Sequence, residues 1–163
     1  MHRVTKMLSV CSEIGEDLSI QFSAKKSMFA VIGSYKYKPL CNMSVNNCDL
    51  VWCNKIKYLG SYLKSDVCFK VDFSEARRRY FYSLNSILCN SKFCSDIVKL
   101  ELIEKQCFPL LLYCMESLSL SKSEIDEINS CINLAYRKIF GYNRWESVRS
   151  LLFYLGRLDL FHW

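Results

Sequence analysis

Along this chain the spacing of hydrophobic residues changes from helical to strand-like and back again. Leu8, Cys11, Ile14 and Leu18 recur every three or four residues, which places them on one face of a helix with Ser12, Glu13, Glu16 and Asp17 opposite. The period then shortens to two. Ile20 and Phe22 alternate with polar neighbours, residues 28–32 form an apolar run of strand length, and Tyr35, Lys36, Tyr37 and Lys38 alternate tyrosine with lysine. Residues 39–47 carry Pro39, asparagine and serine in loop proportions, and residues 49–53 and 56–63 read as a strand pair joined around Asn54 and Lys55.

After Asp66 the strand pattern stops and four helices are predicted. Asp72 with Glu75 reads as a capping box opening the first, which runs to about Cys89; Ser95 caps the second. Ser121 with Glu124 opens the third, ending before Gly141, and Asn143 with Glu146 opens the fourth, ending near Gly156. Their apolar stripes are Tyr80, Leu84 and Ile87; Ile97, Leu100, Ile103 and Cys107; Ile125, Ile128, Ile132, Ala135 and Ile139; and Val148, Leu151, Leu152 and Leu155. Each leaves one polar face, so these helices should pack as a bundle. Pro109 lacks an amide proton and should kink the second helix. The pattern therefore predicts an α+β chain. A helix with a small antiparallel sheet occupies residues 1–66, and a helical bundle occupies residues 67–163.

Charge sharpens this division. The net charge of +6 is unevenly spread. Lys25, Lys26, Lys36, Lys38, Lys55, Lys57 and Lys64 face a single acid, Asp49, over residues 25–64. Over residues 96–127 the balance reverses, with seven acids against Lys99, Lys105 and Lys122. A polyanion would meet the first half. No apolar run reaches the roughly 18 residues of a membrane span. The basic start His2, Arg3 and Lys6 has no uninterrupted apolar core after it, so no secretory signal and no membrane partner are expected.

The ten cysteines include no Cys-x-x-Cys pair, and His2 and His162 lie at opposite ends. Cys41, Cys48, Cys53 and Cys68 form the one conceivable metal set, at a spacing unlike that of zinc sites. Most of the other cysteines fall on predicted apolar helix faces, as small hydrophobes. Reduced thiols, an intracellular location and no metal site are the expectation.

Three segments carry a family resemblance. Phe22-Ser23-Ala24-Lys25-Lys26-Ser27 is similar to a Phe-Asn-x-x-Lys-Ser/Thr segment. Lys57-Tyr58-Leu59-Gly60 is similar to the core of a primer-grip hairpin. Residues 107–116, with Pro109, Tyr113 and Glu116, are similar to a helix ending Pro-x-Leu-Leu-Tyr-Gly-x-Glu. In this order they resemble the C-terminal palm and thumb of a non-LTR (LINE-type) retrotransposon reverse transcriptase, an RNA-directed DNA polymerase. Ser23 replaces the usual asparagine, and Cys114 the usual glycine.

The resemblance implies a palm-like segment over residues 1–66 and a thumb-like bundle over 67–163. It places Lys26 near the triphosphate of an incoming nucleotide, protonating the departing pyrophosphate as an accessory group; an ammonium of adaptable pKa suits that task. Lys57, Tyr58, Leu59 and Gly60 would hold the primer end. The family's chemistry needs metal ions held by convergent carboxylates, including an aromatic-x-Asp-Asp pair. This sequence has no Asp-Asp pair. Such magnesium ions would belong to a palm segment upstream of residue 4, so the chain reads as a fragment that is inactive alone and holds no catalytic residue of its own.

Each candidate has a plainer reading. Lys26 alone closes a turn. Gly60 could mark the close approach of another backbone or a bulge without a ligand. Tyr58 and Leu59 point to opposite faces of a strand, so only one can be core. Arg77, Arg78 and Arg79 spread around a helix, so one or two can share a phosphate while the rest are a solvated face. Trp145 and Trp163 read as packing residues. Together Lys25, Lys26, Lys55, Lys57, Tyr58, Gly60, Arg77, Arg78 and Arg79 make the candidate nucleic-acid surface, for weak binding of an RNA/DNA primer–template. Uncovered apolar palm surface implies self-association. The alternative function is a helical protein-interaction module derived from such an element, without nucleic-acid duty.

Overall fold

The computed structural model describes residues 2–34, 42–45, 48–113, 115, 118 and 120–159, except the side chain of His2. The alternation at residues 35–38, part of the 39–47 loop, and Cys41, Cys114, Glu116, His162 and Trp163 lie outside the described residues. The chain divides into two units, Met1–Asp72 and Phe73–Trp163. Helices and small sheets are both present, as an α+β class requires. Residues 67–72, read from the sequence with the second part, fall in the first because strand β7 pairs there.

The first unit opens with helix α1 (His2–Asp17), followed by a 3-10 turn at Ala24–Lys26. The strands are β1 (Met28–Phe29), β2 (Ser44–Val45), β3 (Cys48–Asp49), β4 (Val51–Trp52), β5 (Lys55–Tyr58), β6 (Ser61–Lys64) and β7 (Lys70–Asp72). They form three separate ladders rather than one antiparallel sheet. β2 pairs with β3, and β5, β6 and β7 form a three-stranded meander, both antiparallel. β1 and β4 pair in parallel, with the Phe29 and Trp52 rings 5.1 Å apart. Ile20 and Phe22 join no strand and are exposed.

Helix α1 does not present the face its hydrophobic pattern suggests. Leu8, Cys11 and Ser12 are half-buried and Gly15 is buried, whereas Ile14 and Leu18 are 52% and 63% exposed. The helix is rotated because Gly15 lets the chain fold back on it. The Ile20 amide donates to the Gly15 carbonyl at 2.7 Å. A Cβ at residue 15 would lie 2.8 Å from the Ile20 carbonyl oxygen and 3.2 Å from the Phe22 ring. Gly15→Ala should therefore destabilise the first unit by about 1–3 kcal/mol through this overpacking. Faster hydrogen exchange at residues 15–22 is the expected readout; unchanged protection would show that the turn relaxes without cost.

The described core of this unit is small: Met43, Val45 and Leu50 are its buried hydrophobic side chains. Its larger ladder is a tight hairpin. Lys55 pairs with Lys64, Ile56 with Leu63, Lys57 with Tyr62 and Tyr58 with Ser61, leaving Leu59 and Gly60 as a two-residue turn. Both have positive φ, 44° and 86°, the type I′ arrangement whose twist matches the strands. This corrects two expectations. Residues 56–63 are a whole hairpin rather than one strand, and Gly60 lies in its turn rather than within a strand. The turn also removes the either-or for Tyr58 and Leu59, since both are exposed.

The second unit contains five described helices: α2 (Ser74–Asn90), α3 (Asp96–Gln106), α4 (Phe108–Leu112), α5 (Lys122–Phe140) and α6 (Arg149–Tyr154). Helices α2, α3, α4 and α5 pack on one another. Tyr80, Leu84, Leu100, Ile103, Cys107, Leu111, Ile128, Ala135 and Ile139 form the buried centre, so the helical stripes point inward as expected, except for Ile97 at 53% exposure. The expected kink is a break. Cys107 keeps helical dihedrals between α3 and α4, and Pro109 sits in the first turn of α4, where its missing amide costs no hydrogen bond.

Caps explain the remaining boundaries. Ser95 accepts the Val98 amide, and Ser121 and Glu124 form a complete capping box. Gly141, at φ 70°, ends α5. Asp72 does not cap α2. It belongs to β7, and Phe73 occupies the cap position without a side-chain bond. Asn143 and Glu146 do make a local turn, in which the Glu146 carboxylate accepts the Asn143 amide. The helix itself starts only at Arg149, and the Glu146 carbonyl accepts from Arg137 Nε at 3.0 Å.

Candidate nucleic-acid interface

In the hairpin, period-two geometry puts Lys55, Lys57, Tyr62 and Lys64 on one face, with Lys70 and Asp72 beside them on β7. Asp72 decides how much of this charge is available. Its carboxylate, with the side chain 10% exposed, lies 2.6 Å from Lys55 Nζ and 3.7 Å from Lys64 Nζ. Lys70 pairs with Asp66 at 3.1 Å. The Lys55 ammonium also lies 4.2 Å from the Tyr62 ring centre, and that of Lys57 5.8 Å from it. Lys57 has no ion pair among the described residues. Of the hairpin lysines it is the cation most open to a new anion.

The tip of this hairpin is exposed and conformationally costly. Leu59 is 72% exposed and Tyr58 63% exposed. A leucine held at φ 44° costs on the order of 1–2 kcal/mol, since its Cβ crowds the backbone. Asparagine would take that place in an ordinary type I′ turn.

Lys25 and Lys26 occupy the exposed 3-10 turn after α1. The Ser23 carbonyl accepts the Lys26 amide at 3.1 Å and the Ser27 hydroxyl at 2.9 Å, and the Ser23 side chain makes no cap bond. Neither lysine has an ion pair among the described residues. Ser23, Lys25, Ser12, Glu16 and Phe22 line part of an open groove of about 800 Å³.

In the second unit the three arginines separate. Arg77 pairs with Glu127, tying α2 to α5, so its charge is already partnered within the second unit. Arg78 and Arg79 bond Glu75 at 3.0 and 3.4 Å, and these two arginines hold the Glu75 carboxyl below its usual range, Arg78 first through its hydrogen bond. Arg78 and Arg79 remain exposed beside Tyr82, 81% exposed, and line a groove of about 540 Å³ with Ser83 and Leu110. Tyr82 was missed in the sequence, although its spacing of four from Arg78 and three from Arg79 places all three on one helix face. Trp145, at 85% exposure, is not the packing residue its type suggested.

No protein-family model matches this chain, and no curated protein or solved structure matches it.

Among the described residues no cluster of three or more His, Cys, Asp or Glu side chains could hold a metal ion, so they do not fit the magnesium ions of the resembled polymerases. Cys48, Cys53 and Cys68 are free. Cys107 and Cys131 are buried, and burial pushes both thiols up in pKa. Cys89 and Cys94 are exposed rather than on an apolar helix face. No helix among the described residues is long and apolar enough to cross a membrane.

Proposed function

We infer that this chain is a palm-and-thumb segment of the kind found in non-LTR retrotransposon reverse transcriptases. It holds primer–template nucleic acid and performs no polymer chemistry by itself. The observation that carries this reading is the hairpin. The segment resembling a primer grip folds back at Leu59 and Gly60, with a strained, exposed apolar tip beside Lys57. A cationic side chain beside exposed aromatic and aliphatic groups suits the end of a nucleic-acid strand, where phosphate and base can be met together. Lys25 and Lys26 in the same unit, and Arg78, Arg79 and Tyr82 in the second, offer further contacts of the same chemistry.

One observation favours the alternative, a helical protein-interaction module. Arg77 is committed to Glu127, and Arg78 and Arg79 share Glu75. The second unit therefore presents less free cationic charge than its arginine run suggests.

Leu59→Asn separates the readings. Replacing a strained leucine by the residue preferred in a type I′ turn should stabilise the hairpin by about 1 kcal/mol. It should also weaken binding of a labelled primer–template several-fold by fluorescence anisotropy at low salt. Binding unchanged in the stabilised variant would remove the tip from the interface, and no binding by the parent chain would leave the interaction module. With magnesium or manganese, the chain should extend no primer.

A further inference from the structure

Helix α1 leaves an apolar stripe in solvent. Val4, Met7, Val10, Ile14 and Leu18 are 36%, 60%, 42%, 52% and 63% exposed. Residues 4, 7, 11, 14 and 18 alternate spacings of three and four, the a/d spacing of a two-stranded coiled coil. Half-buried Cys11 lies on the border between this stripe and the face covered by the helix's own unit. Leu18 continues the stripe past the helix end, its amide donating to the Ile14 carbonyl at 3.0 Å.

The charges on α1 are segregated. Arg3 and Lys6 occupy its first half, and Glu13, Glu16 and Asp17 its second. No acid stands in its first turn and no base in its last. That is the reverse of what the helix dipole favours, so each end carries an uncompensated charge. A second α1 lying antiparallel would bring its acidic end to the basic end of the first, and conversely, while covering the apolar stripe.

We propose that α1 is the contact of a twofold-symmetric homodimer, pairing antiparallel with α1 of a second copy. The layers are Val4 against Ile14 of the second copy and Met7 against Cys11 of the second copy, each repeated by symmetry. In that register Arg3 flanks Asp17 of the second copy, twice over, and Val10 meets its own counterpart at the axis. The other flank, Leu8 and Gly15, is turned toward the helix's own unit. A parallel pair would bring like-charged ends together. None of these residues belongs to the proposed nucleic-acid surface, so the inference stands or falls separately from that reading.

Sedimentation equilibrium on the full chain tests it. The parent should show a reversible, concentration-dependent dimer, and Ile14→Glu should weaken it more than tenfold by placing charge in two layers. Arg3→Asp and Asp17→Arg should each weaken association about tenfold, since each turns two attractive contacts repulsive. The double variant should recover to within about threefold of the parent. Each single replacement improves the charge at its own helix end, so weaker association cannot arise from a less stable helix. A monomer throughout, a dimer indifferent to Ile14→Glu, or a double variant no better than the singles would overturn the proposal.

Discussion

Tyr80→Ala should cost the second unit about 3–5 kcal/mol, which is a large share of the stability of a domain this size. Tyr80 is fully buried on α2, and its hydroxyl donates to the Cys131 carbonyl on α5 at 3.1 Å. Its ring meets Phe81 edge-on at 5.2 Å between centroids. Burial also drives its pKa far above the ordinary phenol value. Truncation removes the ring from the place where α2 meets α5, and the helices cannot close the space without moving their backbones. Tyr80→Phe keeps the ring and loses one hydrogen bond, so it should cost only about 1 kcal/mol. Buried Cys107 and Cys131 provide a readout confined to this unit. Labelling of these thiols should accelerate by orders of magnitude in the alanine variant and only a few-fold in the phenylalanine one. Equal, small effects would mean that the core re-forms around the gap.

This core was legible because helical periodicity is local. Tyr80 and Leu84, Leu100 and Ile103, and Ile128, Ala135 and Ile139 each announce a buried face within one helix, and Ser121 with Glu124 announces a start. Where the reading failed, a distant residue had taken over a local signal. Asp72 has the spacing of a cap with Glu75, but Lys55 and Lys64 engage its carboxylate across the sheet. Glu146 closes its turn with Asn143, but its carbonyl accepts from the distant Arg137 and the helix starts only at Arg149. The hairpin turn was hidden for another reason. Leu59 gives no turn signal, because leucine is a poor residue for positive φ. Gly15 was hidden because the close approach of Ile20 and Phe22 comes from the chain folding back, not from the helix pattern. In the candidate interface the positive charge could be read from residue types. The ion pairs that engage Arg77 and Lys55 arise only in three dimensions.

That redistribution of charge sets a second large expected effect, in the salt dependence of the proposed nucleic-acid binding. Every phosphate neutralised releases counterions, so log affinity falls linearly with log salt, by about 0.9 per duplex contact. Three to five contacts drawn from Lys25, Lys26, Lys57, Arg78 and Arg79 give a slope of roughly −2.7 to −4.5, or about a 40- to 500-fold loss between about 50 and 200 mM salt. The hairpin lysines should not contribute equally. Lys57→Gln should flatten the slope by nearly one, whereas Lys55→Gln should change it less, because Asp72 already compensates Lys55 at 2.6 Å. Asp72→Asn should have the opposite sign: it releases Lys55 and Lys64, so binding at low salt should tighten and the slope should steepen. Lys122→Gln, in the exposed first turn of α5 within the acidic stretch, should leave the slope unchanged. Slopes measured by anisotropy on one duplex distinguish these four variants. If Lys55→Gln and Lys57→Gln flatten the line equally while Asp72→Asn does nothing, the ion pair does not regulate the surface. If no variant changes the slope, the nucleic acid lies elsewhere on the chain and the hairpin is not its grip.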